Sequence, residues 1–149
     1  MKKIIFLCTG NSCRSQMAEG FTRYFLSKEK HITDSAGLES DGLNPHAVKV
    51  MSEIGVDISK QYSKKIDSIN LKNFDLIVTV CDHAYACLHH DAIHGVTATV
   101  THKNICDPVL VKGTKNKQIN AYRIARDEIR KFVLDIVSNY NFYLKNGKK

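Results

Sequence analysis

The side chains with the most chemistry to offer lie near the N-terminus, in Cys8-Thr9-Gly10-Asn11-Ser12-Cys13-Arg14-Ser15. This stretch follows the apolar run Ile4-Ile5-Phe6-Leu7 and precedes Gln16-Met17-Ala18-Glu19-Gly20, so a strand is expected to end at Cys8 and a helix to begin near Arg14. Glycine and short polar side chains let the intervening backbone curl until several N–H groups converge on one point, and such a ring binds a tetrahedral oxyanion. Thr9, Gly10, Asn11, Ser12, Cys13 and Arg14 are the residues expected around that anion. Arg14 adds a planar fork that can grip two of its oxygens, beside the positive end of the helix dipole. Cys8 in that field suits a sulfur nucleophile. Ser15 can donate its hydroxyl to the Cys8 sulfur, and Asn11 tolerates the left-handed backbone that a cradle requires. Cys13 has no required chemistry and is expected to pack. The bland alternative for Cys8 and Cys13 is a pair of buried thiols in a structural turn.

A second group of reactive side chains is Cys81-Asp82-His83-Ala84-Tyr85-Ala86-Cys87, with His89, His90 and His94 close behind. Two cysteines at this spacing serve redox exchange or metal binding equally well, and the surrounding histidines make zinc or copper a competitor. Taken alone, the histidines read as solvated loop residues.

The rest of the chain must position these groups. A length of 149 residues suits one domain, 1–149, with a core that needs no staples, and 43% hydrophobic with 25% charged residues is ordinary globular composition. Five cysteines without a leader segment point to free thiols in a reducing, cytoplasmic setting. The net charge of +7 comes from scattered lysines with no nucleic-acid motif and no spanning segment, so neither nucleic acid nor membrane is the expected partner. It would help to attract a small anion.

Met17, Ala18, Phe21, Tyr24 and Phe25 recur at helical spacing. His31 to Gly37 reads as a strand ending in a turn, and Asn44-Pro45 as the cap and first residue of a helix that buries Ala47, Val48, Met51 and Ile54 and stops at Gly55. Asp57 to Ser63 is expected to lead into a short helix, and Ile66 to Leu71 into another. Asp75 to Val80 is a continuous apolar run suited to a central parallel strand, and Val96 to Val100 is a weaker strand. Ile119, Tyr122, Ile129, Val133, Ile136, Val137 and Tyr140 mark one long amphipathic helix. Alternation of this kind predicts an α/β domain with a parallel sheet, in which ligands bind beyond the carboxyl ends of the strands. Cys8 and Cys81 both stand at such ends.

The string CTGNSCRSQMAEG carries the C-x5-R-S pattern of phosphatases that use a cysteine nucleophile. With SAG, GLNP, DIS, DLIVTVC, DP and RDEI following in order, the chain resembles the low-molecular-weight tyrosine phosphatase fold in its thioredoxin-coupled arsenate-reductase branch. The phosphatase branch usually has proline where this chain has Gln16. The resemblance implies a four-stranded parallel sheet flanked by helices, and reduction of arsenate to arsenite without a bound cofactor or metal. Cys8 would attack arsenic, Cys81 would attack Cys8, and Cys87 would attack Cys81, leaving a Cys81–Cys87 disulfide for thioredoxin to reduce. It also implies Asp107, in Asp107-Pro108, as a general acid opposite Cys8, where local sequence alone allows a surface turn.

Phosphate and sulfate would bind as analogues of arsenate, and the protein would act as a monomer. The chain departs from the family in three places. The Cys81 to Cys87 loop is one residue short, with Leu88 where proline is frequent. Cys106 stands where an acid is more common and is a candidate for off-pathway oxidation. Lys64 replaces the carboxylate of a potassium site that some members build from residues matching Asn11, Glu19 and Ser35, so its ammonium is expected either near Glu19 or in solvent. The rival functions are a phosphatase using Cys8, Arg14 and Asp107 alone, and a metal- or arsenite-binding module built on Cys81 to His94.

Overall fold

The computed structural model describes residues 1–88 and 96–147. His89, His90 and His94 lie outside the described residues, as does all of the stretch between Leu88 and Val96. Four strands, β1 (Lys2–Cys8), β2 (His31–Gly37), β3 (Leu76–Thr79) and β4 (Thr99–His102), form one sheet in the order β2-β1-β3-β4. All three pairings are parallel, as the predicted α/β architecture requires.

The period-two alternation of β1 sends Ile4, Phe6 and Cys8 to one face and Ile5 and Leu7 to the other. On the first face lie α1 (Arg14–Phe25), α2 (Pro45–Ser52), the long α4 (Lys115–Ser138) and α5 (Tyr140–Asn146), closed over Leu76, Val78, Met17, Phe21 and Ile129. The second face is thinner. It is covered by Leu71, Phe74 and Leu88, the last of which follows the short helix α3 (Asp82–Cys87).

Several local expectations are corrected. The C-terminal amphipathic run is two helices, because Asn139 leaves helical geometry at φ −124°, ψ 36° and hands Tyr140 to α5. Within Asp57 to Ser63 the Asp57 carboxylate accepts from the Ser59 amide and holds a turn, and the short helices that follow are of the 3-10 kind. Ile66–Ser68 and Leu71–Asn73 are single 3-10 turns, the second capped by Asn70. The last strand begins at Thr99, later than expected, because its pairing starts opposite Leu76. Tyr24 and Ile54 are exposed rather than packed, while Val50 joins Ala47 and Met51 in the core. Among the described residues, no helix is long and apolar enough to cross a membrane.

Candidate active site

The loop between β1 and α1 is shaped by what its carbonyls do. Those of Cys8, Thr9 and Gly10 accept from the amides of Leu38, Glu39 and Asp41 at 3.2, 2.8 and 2.9 Å. Those of Asn11, Ser12 and Cys13 accept from Gln16 Nε2, the Asn44 amide and the Met17 amide at 3.1, 2.9 and 2.9 Å. With every carbonyl engaged outside the curl, the inward direction is left to the N–H groups, the polarity that an oxyanion needs.

Two features permit the curl. Asn11 takes φ 47°, the left-handed conformation expected of it. Gly37 lets the β2 end approach closely, since a Cβ there would lie 2.6 Å from the Asn11 nitrogen and 2.7 Å from the Thr9 oxygen.

Asn11 is the hub of a buried network. Its Nδ2 donates to Ser15 Oγ at 2.8 Å and Ser35 Oγ at 2.9 Å, while its Oδ1 accepts from Gln16 Nε2 at 3.0 Å and the Lys64 amide at 2.9 Å. With Asn11 donating to it, the Ser15 hydroxyl is free to point its own hydrogen at Cys8 Sγ, 2.8 Å away. Gln16, which replaces the phosphatase proline, is fully buried and also reaches the Tyr62 carbonyl at 3.0 Å. Burial, reinforced by Cys8 and Asp107, pushes the Cys13 thiol well up, and the side chain packs in the core.

Arg14 is buried and held by its donation to the Ile105 carbonyl at 2.9 Å, with Asp107 Oδ2 3.4 Å from its other terminal nitrogen. Asp107 Oδ1 accepts from the Val109 amide at 3.0 Å and so caps the turn Pro108–Leu110. A pocket of about 290 Å³ is lined by Cys8, Thr9, Gly10, Ser12, Cys13, Arg14 and Asp107, the expected anion residues with the expected acid. Asn11 stands behind this wall. Asp41 and Asn44 also line the pocket and were not singled out from sequence. Gly10 is the signal for Asp41, because a Cβ at residue 10 would fall 2.2 Å from the Asp41 Oδ2.

Cys81 stands next door. It is buried at the N-terminus of α3, where Sγ accepts from the Ala84 amide at 3.4 Å and contacts Thr9 Oγ1 at 3.3 Å. A neighbouring cleft of about 570 Å³ shares Thr9, Arg14 and Asp107 with the first and adds Cys81, His83 and Cys106. Cys87 is exposed at the other end of α3 and lines neither pocket. All five cysteines are free thiols. Among the described residues, no group of three or more His, Cys, Asp or Glu side chains is arranged to hold a metal ion.

Lys64 resolves one open expectation. Its ammonium is turned inward, 2.9 Å from the Ser35 carbonyl, 3.2 Å from the Tyr62 carbonyl, 2.8 Å from Asp34 Oδ1 and 3.9 Å from Glu19 Oε1. Asp34 is therefore the closer carboxylate, and Glu19 is engaged by Ser35 Oγ at 2.7 Å and by Arg23 at 3.0 Å.

A parallel sheet that delivers a cysteine into a loop of outward-turned carbonyls, closed by a buried arginine, has the polarity of an oxyanion-binding site with a thiol at its floor. The sequence profile of the low molecular weight phosphotyrosine protein phosphatases matches residues 3–136, and the chain belongs to that family. Within it, the chain is 48% identical over 130 residues to an arsenate reductase of Shouchella clausii, covering 86% of this chain and 90% of that one. It is 46% identical over 128 residues to an arsenate reductase of Bacillus subtilis, covering 86% and 89%. A solved structure of an arsenate reductase in the phosphate binding state superposes with a TM-score of 0.76 at 29% identity, covering 93% of this chain and 98% of that one.

Proposed function

We propose that this chain reduces arsenate to arsenite in the cytoplasm, as a monomer regenerated by thioredoxin. Arsenate enters the Cys8 loop, its oxygens taken by the inward N–H groups and by Arg14. Cys8 Sγ attacks arsenic and displaces one oxygen, which leaves as water after protonation, with Asp107 the candidate donor. Cys81 Sγ then attacks Cys8 Sγ. The S–As bond breaks, its electron pair stays on arsenic, and arsenite departs while a Cys8–Cys81 disulfide forms. Cys87 attacks Cys81, Cys8 is released as a thiol, and an external dithiol reduces the Cys81–Cys87 bond.

The observation that carries this reading is the 3.3 Å contact between Thr9 of the anion loop and Cys81 Sγ, which puts a second sulfur at the edge of the nucleophile's pocket. The names of the relatives point the same way. A phosphatase would need only Cys8, Arg14 and Asp107, a set that the family also supplies, and would leave Cys81 unused.

The last exchange requires movement. Cys81 and Cys87 are six residues apart along α3, about 9 Å of helix rise, and a disulfide needs Cα atoms within roughly 7 Å. Hence α3 has to unwind. Reduced protein supplied with arsenate and thioredoxin is expected to form arsenite continuously, and a protein that hydrolyses phosphomonoesters but forms no arsenite would refute the proposal.

A further inference from the structure

Cys106 is the reactive group that the relay leaves unused, and it is near Cys81 by backbone as well as by cleft. The Ile105 amide donates to the Val80 carbonyl at 3.0 Å, extending the β3–β4 pairing beyond the strands. Residues 81 and 106 therefore each follow one end of this Val80–Ile105 hydrogen bond on adjacent chains. Both side chains line the same cleft. Arg14 bonds the Ile105 carbonyl and fixes this segment from the other side.

The route to Cys87, by contrast, is fastened shut. His102 bonds Asp82 at 2.8 Å and stacks on Tyr85 with ring centres 4.3 Å apart, so β4 grips the first turn of α3. Leu88, directly after Cys87, is 1% exposed in the core beneath the helix. Unwinding α3 has to break the first grip or pull Leu88 out.

We propose that Cys106 is a second resolving thiol, which takes the oxidation from Cys81 as a Cys81–Cys106 disulfide while α3 remains folded. This rests on the arsenate reading above. Cys106 Sγ, as thiolate, attacks Cys81 Sγ of the Cys8–Cys81 disulfide; the new S–S bond forms, the old one breaks, and Cys8 leaves with the electron pair and takes up a proton. The exchange is redox-neutral within the protein, and an external dithiol later returns the two electrons. Both disulfides regenerate Cys8, so Cys106 widens the exit rather than poisoning the site.

Two measurements test this. With arsenate and thioredoxin, Cys87→Ser is expected to keep multiple turnover, and Cys87→Ser/Cys106→Ser to lose it and stop as Cys8–Cys81. A Cys87→Ser protein that stalls with Cys106 alkylatable would overturn the proposal. Independently of arsenate, the Cys8→Ser/Cys87→Ser protein oxidised with diamide should lose two of its three thiols. Peptide mapping should find the Cys81–Cys106 link, with far-ultraviolet circular dichroism unchanged. Absence of that link overturns the proposal even if wild-type protein makes arsenite. The link appearing while wild-type protein makes no arsenite would instead refute the arsenate reading.

Discussion

Arg14 leaves little margin for substitution, because besides facing the anion pocket it holds the Ile105 carbonyl and faces Asp107. Loss of one oxyanion donor typically costs about 10²–10³ in rate, so Arg14→Ala should lower arsenate reduction by at least that factor, measured as initial arsenite formation. Arg14→Lys should recover little, since an ammonium lacks the fork that spans two acceptors. Lys64 carries a different kind of prediction. Its ammonium already sits among the Ser35 and Tyr62 carbonyls and the carboxylates of Asp34 and Glu19, while its backbone amide donates to Asn11 Oδ1. Exchanging potassium for sodium at fixed ionic strength should leave the melting temperature and turnover of the wild-type protein unchanged, because a fixed cation fills the place of a diffusible one. In Lys64→Ala the two carboxylates lose that cation, and potassium or ammonium should then raise the melting temperature above its value in sodium. A potassium-specific rise in the wild-type protein would contradict the placement of the ammonium.

At the scale of elements, α3 is where stability and function pull against each other. His102 ties it to β4 through Asp82 and Tyr85, with Thr79 Oγ1 holding the other ring nitrogen at 2.7 Å. Removing the stack and the hydrogen bond in His102→Ala should make opening of α3 easier by roughly 1 kcal/mol, about a fivefold gain in amide exchange over Asp82–Cys87 with little change elsewhere. Uniform acceleration across the sheet would mean that His102 supports the whole fold instead. The helix itself was only half legible in the sequence. Cys81 and Cys87 announced a dithiol, but nothing in Asp82 to Ala86 revealed the grip, because His102 is distant along the chain and meets α3 only through strand pairing. The anion loop was legible for the opposite reason. Its cysteine, glycine, asparagine and arginine fall together within seven residues, so local sequence announces the loop, although the partners that hold it, Leu38, Glu39, Lys64 and Ile105 among them, lie far along the chain. Asp41 is not legible as a pocket residue since it reaches the pocket across the close contact that Gly10 permits, and Asn44 reads from sequence only as a helix cap. The break at Asn139 was hidden by an apolar pattern that continues in phase into Tyr140.

On the scale of the molecule, the helical face of the sheet is locked at its edge by charge. Glu53, just after α2, accepts from Arg123 Nε at 3.0 Å and from one Arg123 terminal nitrogen at 2.7 Å, and from Arg126 at 3.0 Å, both arginines on α4. These bonds, those to Arg123 foremost, hold the Glu53 carboxyl down at about 2, below its ordinary 4.5. A lowered carboxyl contributes stability above its unfolded value and loses it as pH falls through the folded one. Chemical denaturation should therefore show wild-type stability declining between pH 4.5 and 2 more steeply than that of Glu53→Gln. Equal slopes would show that the pair contributes nothing to α2–α4 docking. The parallel order β2-β1-β3-β4 places the ends of β1 and β3 side by side, and from this adjacency the chemistry proposed for Cys8 and Cys81 follows. The most direct test is arsenite release in a single turnover without external reductant. Fully reduced wild-type protein should release about one arsenite per molecule, whereas Cys81→Ser should bind arsenate, retain its Cys8 thiol chemistry and release essentially none. Equal release from both proteins would contradict the account, since Cys81 would then have no part in taking arsenic from Cys8.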